Sequence, residues 1–416
     1  MDPTRANELL EVAERLAADA AALRTELEIE FKSGQLAEVV ATDYDLGEVV
    51  GVEQIFGGYC NLSFAVRTRT AGHEQRYFVR KYGRSITERE IRFEHALVSH
   101  INGQGMHLAA RVYPNKAGGT YVTRDELHGG EHQTRYFAVY EMLTGLDKYT
   151  WVKNRLTDDE FDTGGRVLAQ FHAAAHDFDP RDLGRAQPPI MRFLRDLRPA
   201  FAGYAEQARA GGTIVDDYYL EHLPAIDALL RKGAEQESEL QGMPYIPVHC
   251  DYHPGNLKWI PGDVPPGATR CCGLFDFDWS KLDYRLFDVA EGIVYFCSSW
   301  EGRDSGELRL DKAAIFLRAY QDEAARFAIP GPLSAAELAA LPRMTANANL
   351  YVLNWDVSAW YEAEDELNAD EYLMYVEHQV MFMEFIEAHL DELAHLAEPQ
   401  AVPAGTSDRD HEKERG

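Results

Sequence analysis

The sequence lacks any apolar run long enough to cross a membrane. No stretch approaches the roughly 18 to 20 apolar residues that a membrane-spanning helix requires, and the N-terminus does not show the basic-then-apolar order of a signal peptide. Positive charge is also scarce, with 41 Lys and Arg against 69 Asp and Glu and a net charge of −28. This balance repels nucleic acid and anionic membranes and attracts cations. We therefore expect a cytoplasmic protein without nucleic-acid or membrane partners.

Cysteine is scarce as well. The five cysteines include no Cys-x-x-Cys pair, and their odd number argues against a disulfide framework. Buried thiols are the simplest interpretation. At 416 residues the chain is about twice the length of a typical domain, so two lobes with sizeable cores are expected.

The densest group of ionisable side chains and turn formers lies at residues 249–256, which read His-Cys-Asp-Tyr-His-Pro-Gly-Asn. Short β-prone segments flank it, so we predict a loop held by strands at both ends. Pro254 and Gly255 turn the chain sharply, which lets Asp251 and Asn256 converge on one small volume. A carboxylate and a carboxamide placed together suit a general base beside a metal ligand.

A second acidic segment, residues 275–278, reads Phe-Asp-Phe-Asp. It follows an apolar run that is typical of a buried strand. Asp276 stands at the end of that strand, where a carboxylate can hold a divalent cation through hard oxygen ligands. A base, a carboxamide and a metal-binding carboxylate in this chain order match the recurring parts of kinase active sites. Each segment alone is also compatible with ordinary turn chemistry.

Together the two segments are variants of the His-Arg-Asp-x-x-x-x-Asn and Asp-Phe-Gly motifs of kinases, here His249-x-Asp251-x-His253-x-x-Asn256 and Asp276-Phe277-Asp278. The pattern resembles the aminoglycoside phosphotransferase family, the small-molecule branch of the protein-kinase-like fold, which also contains the choline, methylthioribose and type II homoserine kinases. The resemblance implies an α+β fold of two lobes. The N-terminal lobe would hold an antiparallel sheet with a helix, and the larger C-terminal lobe would be mainly helical.

The resemblance also implies ATP or GTP as the phosphoryl donor and Mg²⁺ as the metal ion. Asp251 would accept the proton of the acceptor hydroxyl, and Asn256 and Asp276 would hold Mg²⁺. His249 would support the catalytic loop. Three further residues would lie around these groups without doing the chemistry, namely His253, Asp278 and Asp288. Asp288 ends a segment that is similar to the family's Gly-Asp-Pro-x-x-Asp motif, here without the Gly or the Pro, and would brace the catalytic loop.

A kinase also needs a phosphate-covering loop upstream, and the glycine-containing segment 57–61 is in the right place. Gly57, Gly58 and Asn61 are similar to the family's Gly-Gly-x-x-Asn pattern. A plain hairpin would explain the two glycines equally well if they stood alone. We expect these three residues to contact the nucleotide.

The third strand is predicted at residues 77–81 and supplies the cation that kinases place on the phosphates. Arg80 and Lys81 are adjacent, so alternation sends them to opposite faces and only one can point inward. The family pattern favours Arg80, with Phe78 on the same face near the adenine. Lys81 remains an alternative.

A helix from about Thr87 to His100 should follow, because Thr87 and Glu90 have the spacing of a capping box. Glu94 falls among the apolar positions of this helix, and a carboxylate on a buried face needs a partner. We predict that Glu94 pairs with the cation of the third strand, with Glu90 as second choice.

The predicted domains are an N-terminal helical extension (1–42), a nucleotide-binding lobe (43–143), a catalytic and acceptor-binding lobe (144–397) and a disordered tail (398–416). In the family, the strand that ends the first lobe leads into a hinge whose backbone contacts adenine, here Glu141, Met142 and Leu143. Residues 4–31 have the pattern of an amphipathic helix. That helix could pack on the first lobe or against a second copy, so a monomer and a homodimer both stay open.

The last helices, near 307–328, 334–361 and 368–396, should form the wall that holds the acceptor. Acidic and aromatic residues crowd between positions 355 and 372. They form either a solvated helix face or an acidic, aromatic-edged pocket for a cationic acceptor. An amine-bearing sugar or antibiotic fits this acidity. Residues 43–50 also look like the opening of type II homoserine kinases, so an amino alcohol is the second choice.

Three other functions are weighed against small-molecule phosphotransfer. A metallohydrolase would use His249, Asp251 and His253 as ligands of zinc or iron, but the next histidine is His378, inside a helical pattern. A protein kinase is disfavoured because no Ala-Pro-Glu segment follows Asp276. A nucleotide-binding module without catalysis would have lost a catalytic residue, whereas the predicted base and metal ligands are all present.

Overall fold

The computed structural model describes residues 32–55, 61–128, 130–262, 265, 268–302, 305–363 and 367–396. Three predictions lie outside the described residues: the N-terminal helix at 4–31, the contacts of Gly57 and Gly58, and the tail at 398–416. Within the described part of the chain, no helix is both long enough and apolar enough to cross a membrane.

In the described residues, the N-terminal part is an antiparallel sheet with two helices. Helix α1 covers residues 32–43, and the elements that follow are β1 (Glu48–Ile55), β2 (Leu62–Thr70), β3 (His73–Lys81), α2 (Glu88–Gly103), β4 (Val122–His128) and β5 (Glu131–Glu141). The five strands lie in the order β1-β2-β3-β5-β4, and every neighbouring pair is antiparallel. The sequence Gly-Thr-Tyr-Val at 119–122 predicts a strand that continues the sheet. This prediction is wrong in its bounds, because an Asn115 turn precedes the strand, which begins at Val122.

Side-chain alternation divides this sheet into two apolar faces. One face packs against α1 through Phe64, Val79 and Phe137. The other face carries Tyr82 and Tyr140 and packs against α2. Each face buries its own cluster of apolar side chains, so a helix covers the sheet on either side.

The adjacent residues Arg80 and Lys81 therefore point in opposite directions. Both are 5% exposed. Lys81 lies on the α1 side, where its Nζ donates to Gln35 Oε1 at 2.9 Å and pairs with Glu126. Arg80 lies on the α2 side, toward Glu94.

Helix α2 begins with the predicted capping box. The hydroxyl of Thr87 accepts from the backbone N–H of Glu90 at 3.4 Å, and the Glu90 carboxylate accepts from the backbone N–H of Thr87 at 2.9 Å. Two helix-terminal donors are thus satisfied reciprocally. The cap fixes where the helix starts, and Glu94 consequently falls on the buried side with Ile91 and Leu97.

The remainder of the chain, as far as the structure describes it, is mainly helical and is interrupted by two short antiparallel ribbons. Its elements are α3 (Asp158–Ala175), α4 (Ile190–Gly211), α5 (Ile214–Glu235), β6 (Tyr245–Val248), β7 (Leu257–Trp259), β8 (Cys271–Leu274), β9 (Lys281–Tyr284), α6 (Arg285–Cys297), α7 (Leu310–Ala324), α8 (Ala335–Tyr361), α9 (Ala369–Ala388) and α10 (Leu390–His395). Strand β6 pairs with β9, and β7 pairs with β8. The ribbons hold residues 249–256 and 275–280 as the loops between their strands.

The chain divides into two compact units. The first comprises Met1–Lys153, Val167–Pro189 and Tyr245–Arg285, and the second comprises Asn154–Arg166, Ile190–Pro244 and Leu286–Gly416. Every predicted site residue except Asp288 belongs to the first unit. The lobe boundaries expected from the sequence at 43, 144 and 398 stay predictions.

Candidate active site

The loop at residues 249–256 joins β6 to β7, as the sequence predicts. Its last three residues form a single 3₁₀ turn. The indole N–H of Trp259 donates to the Pro254 carbonyl at 3.1 Å and holds this turn from the strand that follows. The N–H of Phe275 donates to the Asn256 carbonyl at 3.1 Å, which ties the loop to the chain just after β8.

Asp251 and Asn256 converge as predicted. The Asn256 amide Nδ2 donates to the Asp251 backbone carbonyl at 2.8 Å and to Asp251 Oδ2 at 3.0 Å. One amide group therefore fixes both the backbone and the carboxylate of Asp251. The Asp251 side chain remains 25% exposed, so a small molecule can reach it.

His249 connects this loop to the acidic segment. It is fully buried, and its Nε2 donates to the Phe275 carbonyl at 3.1 Å. Its ring lies 4.8 Å from the Phe277 ring and 6.1 Å from the Phe171 ring, centroid to centroid. The Ser280 hydroxyl donates to the His249 carbonyl at 3.3 Å. These contacts give His249 a supporting position in which its side chain does not face solvent.

His253 is held by its own loop. Its Nδ1 accepts from the backbone N–H of Gly255 at 3.0 Å, while its Nε2 lies 3.7 Å from Asp251 Oδ2, beyond hydrogen-bond distance. Burial, and then the nearby His249, lower the pKa of His253 to about 3, so the ring is neutral near pH 7 with its proton on Nε2. Since Nδ1 accepts a hydrogen bond from the backbone, its lone pair is not available to bind zinc. Across the described residues, no three His, Cys, Asp or Glu side chains are grouped so that they could hold a metal ion by themselves, as the ligands of a zinc or iron hydrolase would.

Two residues of these loops have left-handed backbone conformations. Cys250 has φ of 63°, and Asp276 has φ of 69° and ψ of 54°. Aspartate tolerates this region, whereas cysteine rarely occupies it. The conformation of Cys250 therefore stores of order 1 kcal/mol or more of strain. The turn at Cys250 changes the direction of the following side chain, Asp251. The turn at Asp276 changes the direction of the Asp276 carboxylate itself.

Arg80 forms the centre of a buried cluster of carboxylates. Its Nη2 lies 2.7 Å from Asp276 Oδ1, and its Nη1 lies 3.4 Å from Glu94 Oε1 and 4.0 Å from Asp278 Oδ2. The side chains of Arg80, Glu94 and Asp278 are 7%, 4% and 5% exposed. The strand cation and the helix carboxylate thus meet beside the predicted metal carboxylate.

Glu90, the second choice for this ion pair, has other partners. Besides the capping box, its Oε1 accepts from the backbone N–H of Ala186 at 3.0 Å. Burial opposes the charged form, but the hydrogen bonds from Ala186 and Thr87 outweigh it and lower the pKa of Glu90. Glu90 therefore connects α2 to the segment that precedes α4, whereas Glu94 faces Arg80.

Asn61 connects the start of β2 to the acidic segment. Its Nδ2 donates to Asp278 Oδ2 at 2.6 Å, and its Oδ1 accepts from the backbone N–H of Gly83 at 2.8 Å. Burial, and then the neighbouring Asp276 carboxylate, raise the pKa of Asp278 to about 6, while Arg80, Arg185 and Asn61 act in the opposite direction. Asp278 therefore releases its proton with more difficulty than an ordinary aspartate.

Arg185 is a residue of the site that the sequence did not indicate. Its Nη1 donates to the Asp278 carbonyl, and its guanidinium carbon lies 4.0 Å from the centroid of the Trp279 ring. Its Nε lies 3.8 Å from Glu90 Oε1. A basic residue in a loop without periodicity carries no sequence signal of its own, so only the fold reveals this contact.

The residues predicted to contact the base of the nucleotide lie on and after two strands of the sheet, namely Phe78, Glu141, Met142 and Leu143. The Phe78 ring lies 5.7 Å from the Arg80 guanidinium carbon, which places both on the predicted common face. A Cβ built on Gly273 would lie only 2.9 Å from Leu143 Cδ1. Gly273 therefore allows β8 to approach the segment after β5 closely. Contact with a nucleotide stays a prediction for all four residues.

The second unit contains the remaining predicted features. Asp288 is fully buried in the first turn of α6, and its bracing role stays a prediction. Within the predicted acidic run, Glu362, Asp370 and Glu371 are exposed, as a solvated helix face would be. Asp356 is the exception, since it is 6% exposed and lies on α8.

The donors at this site suit a hard divalent cation. Asn256 uses Nδ2 to hold Asp251, so Oδ1 is the amide atom that remains for a metal ion. The Asp276 side chain is 33% exposed and supplies carboxylate oxygens. Carboxylate and carboxamide oxygens are the ligands that Mg²⁺ accepts, usually together with water and phosphate. The residues present therefore fit the predicted metal ion.

Comparison with known proteins places this site in a family. The model of the phosphotransferase enzyme family matches residues 51–328. A homoserine kinase of Xanthobacter autotrophicus is 26% identical over 324 residues, which cover 78% of this chain and 85% of that protein. A microcompartment-associated aminopropanol kinase has a TM-score of 0.59 at 18% identity, over 86% of this chain and 98% of that chain. Amicoumacin kinase in complex with AMP-PNP and Ca²⁺ has a TM-score of 0.58 at 15% identity, over 86% and 96% of the two chains.

The structural likenesses concern the fold, and they confirm the predicted α+β class with its N-terminal antiparallel sheet and helical C-terminal part. The family model covers more than half of the chain and confirms the resemblance stated from the two motifs. The assignment as a small-molecule kinase is confirmed with it. The chain belongs to the phosphotransferase enzyme family.

Proposed function

We propose that the protein transfers the γ-phosphoryl group of ATP or GTP to a hydroxyl of a small, amine-bearing alcohol. The observation that carries this proposal is the Asp251–Asn256 pair, in which one amide holds a carboxylate that stays open to solvent. An oriented, accessible carboxylate is what a hydroxyl needs as its proton acceptor. The carboxamide beside it suits a metal ligand.

In the proposed reaction, the acceptor oxygen bonds to the γ-phosphorus while the bond from that phosphorus to the β–γ bridging oxygen breaks. The hydroxyl proton passes to the Asp251 carboxylate, and the nucleoside diphosphate leaves. Asn256 and Asp276 would hold Mg²⁺, which neutralises phosphate charge when bound. Most of the acceleration would come from positioning and charge neutralisation, with the base contributing roughly 10²-fold or more.

Arg80 is proposed as the cation that grips the phosphates, and Glu94 as the carboxylate that orients it. The ion pair between them supports this assignment. Lys81 is the weaker choice because its Nζ is held by Gln35 and Glu126 on the other side of the sheet. AMP-PNP and Ca²⁺ in amicoumacin kinase support a nucleotide and a divalent cation as ligands here.

An amine-bearing acceptor is supported by Asp356. Its Oδ2 is buried without a hydrogen-bond partner in the described structure, and burial raises the pKa of its carboxyl group well above the usual range. A buried carboxylate is unfavourable unless a cation accompanies it. An acceptor ammonium would supply that cation, and Trp355 stands next to Asp356 in the chain.

Among amine-bearing acceptors we place an amino alcohol first. The homoserine kinase relative aligns over most of its own length, and the structural match to aminopropanol kinase points to the same chemical class. The sequence alone favours an amino sugar or aminoglycoside on grounds of acidity, and that acceptor stays the alternative.

The test is nucleotide-dependent phosphorylation across a matched panel. Release of ADP or GDP would be measured with Mg²⁺ and homoserine, an aminopropanol, choline, an amino sugar or an aminoglycoside. Each acceptor would be paired with an analogue that lacks the amine. We expect turnover with an amino alcohol, and a much higher KM for its amine-free analogue. Preference for amine-free alcohols would contradict the cationic acceptor.

The Asp251→Asn variant tests the base. Turnover should fall roughly 10²-fold or more, because the carboxamide cannot accept the proton, while nucleotide binding should persist. Full turnover with the responding acceptor would remove Asp251 from the mechanism. Nucleotide binding without turnover on any acceptor would instead favour a binding module.

A further inference from the structure

Both carboxylate oxygens of Glu94 are held by tyrosine hydroxyls. Tyr82 donates to Oε2 at 2.9 Å, and Tyr140 donates to Oε1 at 2.7 Å. All three side chains are buried, with at most 5% of each residue exposed. Burial raises the pKa of Glu94, with a contribution from Asp278, whereas Arg80 and the two hydroxyls stabilise the charged form. The orientation of Glu94 is therefore set by more than its ion pair with Arg80.

The same two tyrosines also contact the partner of Glu94. The guanidinium carbon of Arg80 lies 5.8 Å from the Tyr82 ring centroid and 5.7 Å from the Tyr140 ring centroid. Strand pairing explains this arrangement, since Ala138 is opposite Arg80 and Tyr140 lies two residues further on the same face. The rings face the cation while their hydroxyls bind its counter-ion.

His95 completes the network from the next position of α2. Its Nε2 lies 2.9 Å from each tyrosine hydroxyl, and its Nδ1 lies 2.8 Å from Thr120 Oγ1. Burial, and then Arg80, lower the pKa of His95 to about 3, so the ring carries a single proton near pH 7. The two hydroxyl oxygens also lie 2.5 Å from each other. With both tyrosine protons directed to Glu94, the Nε2–H of His95 is the donor that remains for the hydroxyl oxygens. Nδ1 then accepts a hydrogen bond from the Thr120 hydroxyl.

We propose that Tyr82 and Tyr140 are positioning residues for phosphoryl transfer, with His95 directing their hydroxyl protons toward Glu94. The inference rests on the proposed role of Arg80 at the phosphates. Two carboxylates, on Glu94 and Asp276, compete for one guanidinium group. Hydroxyl donors satisfy Glu94 independently, which leaves the Arg80 N–H groups available to a phosphate. Without a hydroxyl, the buried carboxylate oxygen that has lost its donor would draw Arg80 toward α2.

The first test compares three Tyr→Phe variants that each remove one hydroxyl. Tyr82→Phe and Tyr140→Phe should each raise the KM or Kd for the nucleotide on the order of tenfold. The KM for the acceptor should stay unchanged. Tyr121→Phe is the matched control, because Tyr121 donates to Glu88 on the same helix but not to Glu94. Equal effects of all three variants, or an equal rise in acceptor KM, would overturn the proposal.

The second test asks whether the hydroxyls act through Arg80. Tyr140→Phe would be combined with Arg80→Lys in a double-mutant cycle read out by nucleotide affinity. We expect strong non-additivity, since the second change removes the group that the first misplaces. Additive losses, accompanied by a matching fall in thermal stability, would mean that the tyrosines only support the fold.

A spectroscopic test is independent of turnover. The ¹⁵N chemical shifts of His95 should identify a neutral ring with its proton on Nε2 at pH 7, and Tyr82→Phe combined with Tyr140→Phe should shift them. A ring protonated on Nδ1 would contradict the assigned hydrogen-bond directions. If no acceptor is phosphorylated, the proposed function fails, but nucleotide affinity and these shifts still decide the role of the tyrosines.

Discussion

Arg80 and Asp276 form a 2.7 Å ion pair between residues 196 positions apart in the chain. The pair joins the cation of β3 to the carboxylate proposed for Mg²⁺. A guanidinium group can hold two partners in one plane, and Arg80 uses this to reach Glu94 as well. The N-terminal sheet and the acidic segment are thus connected through one side chain.

Arg80→Lys should therefore weaken nucleotide use. A lysine offers a single charged centre and cannot hold both carboxylates with separate N–H groups. Loss of one charge-assisted hydrogen bond predicts a fall in kcat/KM for the nucleotide of roughly tenfold to a hundredfold. Steady-state kinetics at varied nucleotide and saturating acceptor would measure it.

Lys81→Met is the matched control for that prediction. Lys81 is equally buried but contacts Gln35 and Glu126 on the opposite side of the sheet. Its loss should lower thermal stability and leave the nucleotide KM near its starting value. The reverse ranking of the two variants would exchange their proposed roles.

Local patterns were sufficient to predict several parts of the site. Alternation predicts that Arg80 and Lys81 point in opposite directions, and helix periodicity places Glu94 on the buried side of α2. The Pro-Gly turn predicts the approach of Asn256 to Asp251. Each of these inferences depends on residues close together in the chain, where covalent geometry leaves few options.

Contacts between distant segments were not predictable in the same way. Arg185 reaches Asp278 only because the segment before α4 lies beside the acidic segment. The left-handed conformation of Cys250 has no sequence signal, since cysteine is a poor residue for that region. The strand pattern in the sequence ends at Val122, whereas β4 continues to His128. The pattern does not extend further because β4 is an edge strand, paired only with β5, and an edge strand can be rich in polar residues.

Two helix glycines should respond oppositely to alanine. A Cβ on Gly165 would lie 2.1 Å from the Phe316 carbonyl oxygen and 2.9 Å from the Tyr320 backbone nitrogen, so α3 and α7 would have to separate. We expect Gly165→Ala to lower the free energy of unfolding by at least about 2 kcal/mol. Gly203 in α4 has no atom within 4 Å of such a Cβ, and Gly203→Ala should stabilise by about 0.5 to 1 kcal/mol. Denaturant unfolding would measure both variants, and equal effects would contradict the close packing at Gly165.

His378 should make stability depend on pH. Burial lowers its pKa to about 3, against 6.5 in the unfolded chain. Below pH 6.5 the unfolded state binds a proton that the folded state does not, so stability falls as the pH decreases toward 3. The slope for one such group is about 1.4 kcal/mol per pH unit.

The His378→Phe variant isolates this contribution. The ring stacks on Trp300 at 3.4 Å between centroids, and phenylalanine can keep that stacking without a proton to gain. The unfolding free energy of the variant should fall less between pH 6.5 and 5 than that of the unmodified protein. Parallel curves would show that His378 titrates normally in the folded state.

Asp356→Asn should have opposite effects on stability and on acceptor binding. The Asp356 carboxyl is buried, and its raised pKa means that the folded state retains a proton above the pH at which the unfolded chain releases it. Stability is therefore lost as the pH rises through that range, and an amide of the same shape escapes the loss. At pH 7 we expect a higher melting temperature for Asp356→Asn without ligand.

If Asp356 pairs with the acceptor ammonium, the same variant should raise the acceptor KM at least about tenfold, with the nucleotide KM unchanged. Glu371→Gln, an exposed member of the same acidic run, is the control for a general charge effect. Equal effects of the two variants on the acceptor KM would mean that the negative charge of the surface as a whole favours cationic acceptors. An unchanged acceptor KM for Asp356→Asn would remove that residue from the acceptor site.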